Sequence, residues 1–374
     1  MIMNRRSVRT FATVSISIFF LACLGAISLS PTGDGVGLFS PATAAAASGA
    51  AAQVIEGAKK EGQAVIKLPS SLAAKEGVES TLNQGVNKMW GLNLKIRVVQ
   101  AGAMDQDAAT VISELDSGHQ PSWDAVVGTG PTLQRLARRG GIENVNWPQL
   151  FPHITPRMID KALNAVILTV SWYMPYYNTK AMSKEDQANL PKRWEDFLDP
   201  RWHGKMIHPL STRQQVILAR VWGEEKTLNF VRQLVKQDLL IARFPEARSR
   251  LFAGERPLAY HADHPTWITE AQARGAPVKP ILDLDPWPAV YFMQAVTKNA
   301  RHPNAAKLAL AYVVTSEFQQ YVYKLLQYGS PFVPGSPIEK LQREMEAKGV
   351  RFVTFGDADE DEKRNREYDK IFGF

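Results

Sequence analysis

Cysteine is almost absent from this chain. Its 374 residues include one, Cys23, which lies in an apolar run near the N-terminus. Downstream of that run no disulfide can form and no thiol chemistry is available. With 45% hydrophobic residues, a chain of this length can bury cores without cross-links. Catalytic signatures are also missing. There is no G-x-S-x-G, no H-E-x-x-H, no phosphate-binding P-loop, and no G-x-G-x-x-G opening a helix after a strand. Ser, His and Asp occur without the arrangement of a triad. These absences argue against an enzyme and leave an exported hydrolase as a distant alternative. Long blocks of one charge sign are lacking too. The 44 Lys and Arg residues are interspersed with 37 Asp and Glu, so nucleic-acid binding has no support. The net charge of +7 falls to about +5 once Arg5, Arg6, Arg9 and Asp34 are set aside with the leader. A mildly basic surface suits attraction of small anions into a cleft. No internal repeat is visible.

What is present begins with a targeting segment over residues 1–46. Arg5, Arg6 and Arg9 precede an apolar run from Phe11 to Leu29, and Ala42-Thr43-Ala44 offers an A-x-A cleavage site. The stretch from Asn4 to Arg9 resembles a twin-arginine signal, but the usual Phe-Leu-Lys does not follow. Phe20-Leu21-Ala22-Cys23 resembles a degenerate lipobox, which would make Cys23 a lipid anchor. A retained membrane helix fits less well, because serines and a threonine interrupt the run. Export follows from this segment; the route and the cut do not.

From Val54 the pattern alternates helix and strand. A short helix at 54–61 stops at Gly62. Strands are expected at 64–68, 94–99 and 123–127, with helices at 73–90, 105–115 and 132–139 between and after them. This rhythm predicts an α/β fold with a mostly parallel, doubly wound sheet flanked by helices. Ligands of such sheets gather beyond the carboxyl ends of the strands, which nominates Ser70, Ser71, Thr129 and Gly130. Further on, His208-Pro209-Leu210-Ser211-Thr212-Arg213 leads from a strand into a helix. Ser211 or Thr212 is the expected N-cap, and the free amides beside it favour negative charge. Arg213 adds a guanidinium able to clamp a carboxylate or phosphonate; a plain surface arginine is the competing reading. The segment 357–370 alternates acids and bases, most simply as a solvated helix or tail.

Pro191 to Met206, PKRWEDFLDPRWHGKM, is the most informative stretch. Pro191 suits a helix start, Trp194, Phe197 and Leu198 fall at helical spacing, and Asp199-Pro200 ends the helix. Taken bare, it is a surface helix pinned by Trp194 and Trp202. Its order also resembles the segment opening the second lobe of periplasmic solute-binding proteins, in the branch of ferric-ion, thiamine, polyamine and phosphonate receptors. Tyr177-Asn178-Thr179-Lys180 before it, and Ala253-Gly254-Glu255 before a strand ending at Tyr260 and Lys298-Asn299-Ala300 with His302-Pro303-Asn304 after it, keep the family's order. The resemblance extends from about Val54 to Gly335. It implies a type II two-lobe fold, each lobe a mostly parallel sheet flanked by helices and joined by crossing strands. Residues 47–168 would form the first part of lobe one, 169–288 lobe two, and 289–374 the return to lobe one with the C-terminal helices. It implies no cofactor. A small solute and an ABC permease of the inner membrane would be the partners of a monomeric periplasmic protein.

The resemblance also bears on the remaining candidates. Tyr260, His261, Asp263 and His264 lie together where the second lobe meets its ligand. His261, Asp263 and His264 could ligate a transition metal, the alternative being a polar loop that contacts an organic ligand. In the ferric-ion receptors a Tyr-Tyr pair holds iron here; those places fall on His264 and Pro265, and proline cannot ligate. Trp172 and Tyr173 at one crossing, and Trp287 at the other, could stack on a planar ligand or pack as core. The expectation is a noncatalytic receptor for a small organic anion, with a metal-ion receptor as the alternative.

Overall fold

The computed structural model describes residues 49–262 and 265–374. The leader with Cys23, and Asp263 and His264, lie outside the described residues. No helix among the described residues is long and apolar enough to cross a membrane. Among the described residues twelve strands run in chain order: β1 Gln63–Leu68, β2 Lys95–Gln100, β3 Ala125–Gly128, β4 Ile159–Asp160, β5 Ala165–Trp172, β6 Met174–Asn178, β7 Met206–Pro209, β8 Leu240–Ala242, β9 Leu258–Ala262, β10 Val278–Pro280, β11 Trp287–Val296 and β12 Phe352–Val353.

These strands form two sheets. The first has the order β2-β1-β3-β11-β5-β4, with β12 paired onto β11; the second has the order β10-β6-β9-β7-β8. Within the first, β1 is parallel to β2 and β3, while β11 runs antiparallel to β3 and β5. In the second, β7 is parallel to β8 and β9. The parallel pairings are the ones the helix–strand alternation predicts, because a parallel connection needs a crossover helix. Every residue of β5 is buried, as expected of a strand covered on both faces. One side of the first sheet packs Ile66, Leu82, Leu310 and Phe318, and a smaller cluster gathers Val111, Leu133 and Met293. The second sheet has its own core around Trp194, Phe197, Trp202, Phe230 and Tyr260.

The chain passes from the first sheet to the second through Tyr173, the only residue between β5 and β6, and returns between β10 and β11. Tyr173 N donates to the Pro288 carbonyl at 2.9 Å, so the crossing strand and the return strand are bonded where they leave the first sheet.

Several elements differ from expectation. The helix foreseen over 73–90 is two pieces, Ser70–Ala73 and Val78–Trp90, separated at Gly77, whose φ is 82°. Trp194–Leu198 and Pro200–Trp202 are 3-10 turns rather than an α-helix, because Pro200 leaves too few residues for α hydrogen bonds. Both tryptophans are nonetheless buried, and Trp194 Nε1 donates to the Pro286 carbonyl at 2.8 Å. The charged C-terminal segment is the helix Ala358–Phe372, capped by Asp357. It is not a solvated tail, since Ala358, Tyr368 and Phe372 are buried.

Candidate ligand site at the strand ends of the two sheets

The carboxyl ends of the central strands deliver the expected residues. After β1, Ser70 and Ser71 are exposed in the first turn of a short helix, and the Ser71 hydroxyl lies 2.8 Å from that of Tyr328. After β3, Thr129 occupies the N-cap position of the helix Gly130–Arg138, with its hydroxyl 3.2 Å from that of Thr132. After β7 come Ser211, Thr212 and Arg213, the last of them exposed at the first position of the helix Arg213–Trp222. Thr212 does not cap that helix. Its side chain is buried and donates to Asp369 at 2.7 Å, so Thr212 is engaged by the C-terminal helix. The Ser211 hydroxyl accepts from Arg213 N at 3.4 Å, a weak contact.

Sequence reasoning missed Asp105, at the start of the helix that follows β2. Burial draws its carboxyl upward, but hydrogen bonds from Thr132 and Arg135 and the charges of Arg135 and Arg213 together hold it below the usual range. The Arg213 guanidinium, on the helix after β7, is therefore near enough to Asp105 to be felt electrostatically. An acid just inside a helix start after a strand was the available signal.

The second group surrounds His261, at the carboxyl end of β9. Its ring centroid is 5.2 Å from Tyr173, 5.3 Å from His208 and 5.7 Å from Phe244. His261 is 1% exposed, and neither ring nitrogen has a hydrogen-bond partner among the described residues. Burial and the neighbouring His208 both push its pKa well down, so it is neutral. His208, also missed at first, has a settled tautomer. Its Nδ1 lies 2.7 Å from the Pro209 carbonyl and must carry the proton, and its Nε2 accepts from Gln215 Nε2 at 2.9 Å. Burial, only partly offset by the Pro209 carbonyl, lowers its pKa to about 4. Gln214 Nε2 donates to the Tyr173 carbonyl at 3.2 Å, tying the helix after β7 to the crossing strand.

The remaining aromatic candidates face inward. Trp172 and Trp287 are 2% and 1% exposed, meet edge-on at 5.6 Å, and share Phe352 as a neighbour. Their rings are taken up by one another, which is the core-packing reading. Tyr260 is enclosed by Trp194, Phe197 and His208. Burial, and then the charge of Glu195, raise its pKa well above the ordinary phenol value. Tyr176 and Tyr177 are buried in β6. Tyr173, itself buried against Ile217 and Val290, lies beside His261 near the strand ends. No cluster of three metal-ligating side chains exists among the described residues. Two surface depressions, one bordered by Asn189, Lys192 and Glu195 and the other by Trp222, Glu224 and Lys226, include none of these strand-end residues.

Two sheets joined by crossing strands, with polar residues at facing strand ends, define a type II periplasmic-binding-protein fold. Solved structures share it at low identity. Iron-bound HitA from Pseudomonas aeruginosa superposes with a TM-score of 0.62 at 18% identity, covering 82% of this chain and 99% of its own. AfuA from Actinobacillus pleuropneumoniae, with bound fructose-6-phosphate, gives 0.61 at 15%, covering 83% and 99%. AgtB from Agrobacterium tumefaciens, in complex with agropinic acid, gives 0.56 at 15%, again covering 83% and 99%. No curated protein matches the chain by sequence. The profile of the bacterial extracellular solute-binding protein family matches residues 86–348, and the chain belongs to that family. It is a solute-binding protein of an ABC transporter, with a small-molecule ligand and a membrane permease as its partners.

Proposed function

We propose that this protein captures a small organic anion between its two sheets and passes it, unchanged, to the permease. The sheets act as lobes: 47–168 with the return segment from 289 on one side and 169–288 on the other, the C-terminal helix Ala358–Phe372 packing on the second core. Arg213 and the amides beside it would neutralise the acidic group, with Ser70, Ser71, Thr129, Gly130 and Ser211 contributing hydroxyls and backbone from both sides. Tyr173 and His261 would form an aromatic, partly polar wall for the rest of the molecule. The observation that carries this reading is His261, a fully buried imidazole without a hydrogen-bond partner among the described residues. Leaving a buried polar group unpaired costs about 1–3 kcal/mol, and an organic ligand carrying a donor or acceptor would recover it. Closure of the lobes on such a ligand is a population shift driven by contacts made on both sides. Two fold relatives are named with organic acids, one a sugar phosphate and one agropinic acid. In this reading residues 1–46 direct export to the periplasm, with lipidation of Cys23 as the variant to check, and the protein works as a monomer.

A thermal-shift screen of small carboxylates, phosphates and phosphonates tests the reading, because a ligand of the native state raises its stability. At least one such acid should raise the melting temperature in a saturable way. The alternative is a metal receptor using His261, Asp263 and His264. Iron or zinc co-purifying at one per chain, with no acid acting as a stabiliser, would establish that alternative and overturn the organic-anion reading.

A further inference from the structure

The C-terminal helix Ala358–Phe372 lies beyond the segment matched by the family profile, which ends at residue 348. It touches both halves of the molecule in two chemically different ways. Toward the second sheet its contacts are buried. Tyr368 and Phe372 belong to the core of that sheet, and Phe372 stacks on His208 with ring centroids 4.4 Å apart. Asp369 accepts from Thr212, at the start of the helix that follows β7. Toward the first sheet its contacts are polar and largely at the surface, all to the helix Gly130–Arg138. Arg138 pairs with Asp357 at 2.5 Å and with Asp359 at 2.7 Å, and Arg135 approaches Glu362 at 3.6 Å. Gln134 donates to the Gly356 carbonyl at 2.7 Å and accepts from Ala358 N at 2.8 Å. The segment leading into the helix is itself fixed beside the crossing strands, because Phe352 and Val353 pair with Trp287 and Pro288.

From this asymmetry we propose that the C-terminal helix is an electrostatic strap beside the hinge: its apolar face makes it part of the second lobe, and its acidic start is held by Arg135 and Arg138 of the first. Rotation of the lobes apart must break those contacts while leaving the buried ones intact. The arginines and acids are half-exposed, with side-chain exposures of 43% for Arg138, 45% for Asp357 and 75% for Asp359. Such pairs are individually weak and screened by salt. The strap is therefore a bias toward the closed arrangement and not a lock. It rests on the reading that the two sheets move as lobes.

The test is a distance between spin labels at Lys75→Cys and Arg243→Cys, exposed positions beyond the strand ends of the first and second sheets, in a Cys23→Ser chain without added solute. Arg138→Glu should raise the population at the longer distance by about two- to fivefold for each ion pair lost. Molar sodium chloride should do the same to the unmodified chain, and Arg138→Glu combined with Asp359→Arg should bring the distribution back. Unchanged far-ultraviolet circular dichroism and melting temperature separate this effect from unfolding. Two distances whose populations ignore Arg138→Glu and salt would overturn the strap and leave the lobe motion standing. A single distance in every sample would overturn the lobe motion itself.

Discussion

At the scale of single residues, the candidate site divides according to what each side chain already holds. Arg213 is exposed and gives no hydrogen bond through its guanidinium to a described residue, whereas Thr212 beside it is spent on Asp369. Arg213→Gln should therefore weaken binding of a stabilising acid by roughly 10- to 100-fold, the worth of a hydrogen bond to a charged group, with little change in melting temperature; calorimetric titration of both proteins measures it. His208 makes a separate, pH-dependent prediction. Its folded pKa of about 4 lies below the ordinary 6.5, so the neutral form is favoured by folding. The stabilisation is complete above about pH 6.5 and is lost as pH falls toward 4, amounting to about 3 kcal/mol. Denaturant unfolding across that range should show the loss, and His208→Gln should flatten it by about 1.4 kcal/mol per pH unit, the equivalent of one proton. An unaltered slope in the variant would mean that His208 does not titrate there. The sequence singled out Arg213 and His261 as candidates because each sits at a strand-to-helix step. It could not show that Trp172 and Trp287 pack edge-on against each other in the core, because a long-range pair of aromatics has no local pattern.

At the scale of elements, two contacts position the strand ends. Lys67 in β1 pairs with Asp107 of the helix Met104–Asp116 at 2.5 Å, with side chains only 5% and 11% exposed, and its ammonium lies over the Trp123 ring at 3.8 Å. Asp107 also accepts from Gly102 N, so it fixes the turn that presents Asp105. Asp107→Leu should cost about 3–5 kcal/mol by leaving a buried ammonium without its counter-charge, while Lys67→Met with Asp107→Leu should cost much less; denaturant titration of the single and double variants distinguishes the two outcomes. The second contact is between helices. A Cβ at Gly85 would fall 1.9 Å from the Tyr312 ring, so the helices Val78–Trp90 and Pro303–Val313 meet there through a glycine. Gly85→Ala should lower stability by about 1–3 kcal/mol through overpacking, visible as a lower melting temperature, and Tyr312→Ala in the same chain should relieve the clash. Most elements were legible from period and punctuation, as in the runs of β1 and β5. The C-terminal helix was misjudged because its charge pattern is that of a solvated surface. Tyr368 and Phe372, two apolar residues one turn apart, are the part that decides its docking.

At the scale of the whole molecule, the family was legible because its motifs keep their order while their contacts are scattered. The opening motif packs Trp194 and Trp202 into the second core, and Asn178 of the crossing strand bonds the Leu251 and Phe252 carbonyls near Gly254. These contacts join segments far apart in sequence and explain why the motifs travel together. The chemistry of the solute is not written in the same way, since it depends on a few side chains facing a gap between two sheets. The most direct test is calorimetric titration of the acid that stabilises the protein most, into the unmodified chain and into Arg213→Gln and His261→Ala. One solute per chain, bound at least tenfold more weakly by both variants, is the predicted result. Equal affinity in all three proteins, or stoichiometric binding of iron or zinc with no acid bound, would contradict it.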